Sequence, residues 1–199
     1  MISLDLIGFQ ELEDAVSKEL AALRSDKIVT VGIHEEAGNV ENDDLTMASL
    51  GAIHEFGAEI NHPGGTSYGY ASKAAAERDE VRFLKKGAGY MEIGVTGPHK
   101  INIPARPWLE PGVVSATDAV MKTIQDGVEQ GKDMGDILEA VGVVASGAVR
   151  VYMTELKTPP NAPSTIRKKG SANPLIDSGA MRASVTHKVQ GGKVEEGLE

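Results

Sequence analysis

The stretch Ile101-Asn-Ile-Pro-Ala-Arg-Pro-Trp-Leu-Glu-Pro111, INIPARPWLEP, decides how the chain is laid out. It holds three of the nine prolines and the only tryptophan. Each proline fixes its own φ and drives the residue before it toward extended geometry, so the connector keeps its shape without a hydrogen-bond ladder. Alternating, strand-like residues precede it and helical spacing follows. Pro111 fits the first turn of the next helix. Two uses of such an elbow stay open on the sequence. It can present Arg106, Pro107, Trp108 and Leu109 to another surface with little loss of entropy, and Trp and Arg are enriched at interface hot spots. Equally, Trp108 and Leu109 can plug the chain's own core where strand meets helix.

Upstream of the elbow, Phe9, Leu12, Val16, Leu20 and Leu23 recur at helical spacing and predict a first helix with one apolar stripe. In KIVTVGI, Val29, Val31 and Ile33 alternate with Thr30 and Gly32, the pattern of a half-buried strand. LTMASLGAIHEFG predicts a short helix, capped by Asp44 or Thr46 and closed by Gly57. Residues 58–90 lose periodicity: HPGGTSYGY is turn chemistry, and the following segment is charged. They are expected to form an extended loop insertion. Met91, Ile93 and Val95 alternate again, and with INI they predict a hairpin.

Downstream, Val113, Ala116, Val120, Ile124 and Val128 form one helical stripe. Met134, Ile137, Leu138, Val141, Ala145, Ala148, Val149, Tyr152 and Leu156 form a longer one. GKDMGD between them predicts an antiparallel helix pair, and TPPNAP ends the second helix. A basic loop, a short helical turn near 179–182 and a last strand follow, with Ala183, Val185, His187 and Val189 on one face. Residues 191–199 form a polar tail with nothing to bury. The expected fold class is α+β: a small antiparallel β-sheet packed against helices, with a long loop insertion and an extended C-terminal segment, in a single domain over 1–190.

Composition narrows the function. Of 199 residues, 20 are Lys or Arg and 29 Asp or Glu, a formal net charge of −9. That opposes a general nucleic-acid-binding surface, which needs clustered cations. There is no cysteine, so thiolate chemistry, disulfides and Cys-based metal sites are excluded. No apolar run is expected to reach the roughly 20 residues a bilayer span requires, and the acidic start is unlike a signal peptide. The reading is of a chain made in the cytoplasm with no membrane partner.

Catalytic patterns are incomplete. His34, His54 and His62, with Glu35 and Glu55 beside them, could serve a metal-dependent hydrolase, but HEFGA has Ala58 where the zinc-helix motif needs its second histidine. GVEQGKD is too short for a phosphate-binding loop and places Asp133 where Ser or Thr would hold magnesium. DSGAM with His187 lacks any sign of a strained nucleophile turn; Asp177 or Ser178 reads better as a helix cap. Arg167, Lys168 and Lys169 form the only dense basic cluster, suited to a solvated loop or to an acidic partner. No catalytic, cofactor or metal residues are assigned.

Taken in order, LGAIHEFGAEINHPGG, INIPARPWLEPGV and TPPNAPSTIRKKGSANPLIDSGAMRASV resemble the tail-completion, or virion-morphogenesis, proteins of tailed bacteriophages. The connector matches from Ile103 to Leu109, with Trp108 where phenylalanine is usual. The C-terminal pattern is matched by Pro174, Leu175, Asp177, Ser178, Gly179, Met181 and Ser184. The resemblance spans about residues 28 to 189 and implies an α+β structural subunit, not an enzyme, of a neck or tail-terminator ring, six-fold where related rings are six-fold or twelve-fold. It further implies neighbouring connector and tail-tube or sheath proteins as partners, genomic DNA passing through the lumen without specific binding, and a location in the virion after assembly in the host cytoplasm. Phe56, Arg106, Pro107, Trp108, Leu109, Arg167, Lys168 and Lys169 are the expected subunit-interface residues. A small phage regulatory module that binds a host protein is the other non-catalytic alternative.

Overall fold

The computed structural model describes residues 26–41, 43–85 and 88–191. The first helix predicted around Phe9 to Leu23 and the tail beyond Gly191 lie outside the described residues. The fold is α+β, and the chain divides into two compact units, one ending at Phe56 and resuming at Arg106, the other spanning Gly57–Ala105. Strands and a short helix stand where an irregular loop was expected over 58–90.

In the first unit, the body, strand β1 (Lys27–Ile33) pairs antiparallel with the last strand, β7 (Val185–Gly191). The register sets Val29 opposite Val189, Val31 opposite His187 and Ile33 opposite Val185. Opposed residues share a face, so the alternation seen in each strand adds up to one apolar surface. Helix α1 (Met47–Phe56) follows β1. Thr46 caps it, its Oγ1 accepting from the Ser49 N–H at 3.0 Å. Gly57 closes it at φ +77°, where a β-carbon would lie 2.8 Å from the Ile103 carbonyl oxygen.

Beyond the elbow come α3 (Leu109–Val114), α4 (Thr117–Glu129) and α5 (Met134–Glu155). Asp133 caps α5 by accepting from the Gly135 N–H at 2.6 Å. α5 is the central element: β1, β7, α3 and α4 all pack on it. Its buried residues Ile137, Val141, Ala145, Val149 and Met153 repeat at helical spacing. By length and composition α5 is apolar enough to cross a membrane, contrary to expectation; here its apolar stripe is the core's main wall. Close approach is bought by glycines: Gly112 of α3 sits on Val149 and Gly142 of α5 on His187. The expected stripe on α3 and α4 is realised in its middle, with Ala116 buried and Val120 and Ile124 half-buried, while Val113 and Val128 remain exposed. Helices α6 (Pro163–Lys169) and α7 (Ala180–Ala183) complete the body. Ala183 therefore ends a helix and does not begin the last strand.

The second unit is an insertion with its own order. Strand β2 (Ala58–His62) pairs antiparallel with β6 (His99–Ile103), and β3 (Ser67–Tyr70) lies between β4 (Val81–Phe83) and β5 (Met91–Val95). A short helix, α2 (Lys73–Glu77), is capped by Ser72. The predicted hairpin of β5 with β6 does not form. Each pairs with a strand of the segment expected to be loop.

Candidate functional site

The elbow is held by reciprocal capping. The last carbonyls of α1 and the first N–H groups of α3 have no partners within their helices. The Arg106 N–H donates to the His54 carbonyl at 2.7 Å, near the end of α1. In return, Glu55 of α1 accepts through Oε2 from the N–H groups of Trp108 at 2.6 Å and Leu109 at 2.9 Å. A carboxylate at a helix N-terminus is also favoured by the helix dipole. The Glu of HEFG is therefore a cap supplied by another helix.

Trp108 is 3% exposed and belongs to the core cluster with Met47, Val149, Met153, Leu175, Met181 and Val185. Its indole N–H donates to the Gly51 carbonyl at 3.0 Å, which meets the rule that buried polar groups keep a partner. Arg106 is 6% exposed. Its Nε donates to the Pro159 carbonyl at 2.9 Å and Nη2 to the Pro160 carbonyl at 3.2 Å. Burial lowers its pKa. The guanidinium thus ties the elbow to the proline turn after α5.

Three of the expected interface residues are consequently internal. Trp108 and Arg106 are buried, and half-buried Leu109 packs against the core. Of the two uses open on the sequence, the core plug is the one the fold adopts. Pro107, Arg167 and Lys168 are exposed, and Phe56 is 80% exposed. Lys169 is half-buried and donates to the Asn173 carbonyl at 2.6 Å, an oxygen that also accepts from the Asn161 side chain at 3.1 Å. Burial lowers the Lys169 pKa, against the opposing pull of Asp177.

The histidines do not converge. His34 bridges Thr30 and Thr186, with ring nitrogens 3.1 and 2.9 Å from their hydroxyls. His54 has its Nδ1 buried without a partner, and burial, then the charges of Arg106 and Lys169, lower its pKa. His62 stacks on His99 with ring centroids 4.9 Å apart. Among the described residues no three His, Asp or Glu side chains are grouped to hold a metal ion. His187 meets Glu139 at 2.9 Å on the face toward α5. Ser178 accepts from the Ala180 N–H at 3.3 Å, a turn contact.

One open depression of about 540 Å³ lies on the body, lined by Arg150, Val151, Thr154, Glu155, Arg182 and Ala183. Both guanidiniums are engaged: Arg150 donates to the Val185 carbonyl, and Arg182 to the Thr154 hydroxyl at 3.1 Å. The Thr154 hydroxyl in its wall donates to the Arg150 carbonyl at 2.8 Å.

What sequence reasoning missed is the apolar surface. Phe83, Val81, Tyr90, Met91, Ile93 and Val95 of the insertion are all exposed. On the body, Val114, Met121 and Val128 are exposed at seven-residue spacing. Seven residues is close to two helical turns, so this second signal was readable. Where exposed apolar side chains join into a contiguous patch, they mark an interaction surface. Comparison with family models, with curated proteins and with solved structures finds no match for the chain.

Proposed function

We propose that the chain is a structural subunit of a ring at the head–tail junction of a tailed phage, a neck or tail-completion protein that works by assembly and not by catalysis. The observation that carries this reading is the meeting of the three segments on which the phage resemblance rests. LGAIHEFG supplies Gly51 and Glu55, the elbow supplies Arg106 and Trp108, and the C-terminal segment supplies Leu175 and Met181. Segments far apart in sequence that join in one core form a single unit, which is what a shared fold requires.

Two further features support it. Exposed apolar side chains on both units call for neighbours. The acidic balance suits a lumen: a wall of negative charge repels phosphate and lets DNA pass without sticking. In this role the ring would be six-fold, set between connector and tail-tube or sheath proteins in the virion.

The test is assembly without the chain. Particles made in its absence are expected to accumulate as filled heads and separate full-length tails, joined again when the purified chain is added. Intact infectious virions formed without it would overturn the proposal.

A further inference from the structure

The insertion is a sheet with almost no core. Among its described residues only Gly69 and Ala75 are buried. The register places Tyr70 between Val81 and Met91, and Tyr68 between Phe83 and Gly94. Opposed residues share a face, so Tyr68, Tyr70, Val81, Phe83 and Met91 form one apolar surface. Phe83 is 70% exposed at its edge. A small sheet needs its apolar face covered to be stable.

The body carries a different patch. Val114 ends α3, and Met121 and Val128 lie seven residues apart on α4; all three are exposed, Met121 at 62%. Asp118 and Glu129, both exposed, flank them. The two units differ in charge, a net +1 in the insertion against −10 in the rest of the chain. Residues 57–105 hold six Lys and Arg against five Asp and Glu, whereas the rest of the chain holds the remaining 14 against 24. Phe83 itself sits in the basic run VRFLKK, with exposed Arg82 and Lys85.

We infer that the insertion's Phe83 face docks on the exposed Val114, Met121 and Val128 of a second copy of this chain, with Arg82 and Lys85 set toward Asp118 and Glu129. Two unlike patches make a heterologous contact, and repetition of such a contact closes into a ring when the rotation allows. The inference rests on the ring reading and deepens it by naming the surfaces.

The chain's lack of cysteine gives a direct test. Phe83→Cys chains are mixed with Met121→Cys chains and oxidised with copper phenanthroline under air. Both positions are exposed, so neither substitution removes a core contact. The expected product is the mixed disulfide, in excess over either like pair, and Phe83→Asp or Met121→Asp is expected to weaken self-association at least tenfold. Like pairs alone, no cross-link between the two cysteine variants although the wild-type chain forms an oligomer, or closure within one doubly substituted chain would overturn the inference while leaving a ring subunit possible by other faces. A wild-type chain that never associates would remove both readings.

Discussion

At Trp108 two demands meet: a large apolar ring has to be buried, and its N–H has to keep an acceptor. Trp108→Ala is expected to destabilise the body by about 3–5 kcal/mol through the cavity it leaves. Trp108→Phe keeps part of the volume but gives up the indole bond to the Gly51 carbonyl, which retains its bond within α1, a loss of about 0.5–1.5 kcal/mol. Urea unfolding checks both, and a near-neutral Trp108→Ala would mean that the elbow is only a spacer. His54 gives a pH test. Burial first, then Arg106 and Lys169, hold its folded pKa below the ordinary 6.5. The unfolded chain therefore binds more protons as pH falls, so this stability is fully present above the unfolded value and is lost as pH falls through the folded one. His34 shifts in the same direction, by burial and then Lys188. The melting temperature is expected to drop from pH 7 to about pH 5, and His54→Gln to flatten the slope. An unchanged slope in that variant would place the proton elsewhere.

Among the elements, contact between α3 and α5 depends on a missing side chain. A β-carbon on Gly112 would lie 2.9 Å from the Val149 Cα, which is backbone and cannot swing aside. Gly112→Ala is expected to destabilise by about 1–3 kcal/mol. Gly147→Ala, on the same α5 but with open space around it, should stabilise by about 0.5–1 kcal/mol through helix propensity. Equal effects of the two on the urea midpoint would contradict the packing account. Elements with one buried face were legible in sequence. β1 showed itself in Val29, Val31 and Ile33, and α5 in its long stripe, because burial on one side imposes a period. Within the insertion the alternation of β5 and the INI of β6 were legible, whereas β2, β3 and β4 were not, since they are short and scarcely buried and no period marks them. The β5–β6 hairpin failed because pairing across some thirty residues leaves no local trace. Arg106 was misjudged for a related reason: its partners are carbonyls of Pro159 and Pro160, which carry no side-chain signature.

For the whole molecule, the body is a packed core around α5, while the insertion leaves most of its apolar residues uncovered. On the proposed ring reading, that inequality is what assembly would relieve: the surface that one copy cannot bury, neighbouring copies would. The most direct measurement is the mass of the purified 21.0 kDa chain by light scattering across concentration. The account predicts growth to a closed ring, six chains by the neck reading, reached alone or on adding connector or tail-tube protein. A single-chain mass at every concentration, with and without those partners, would contradict it.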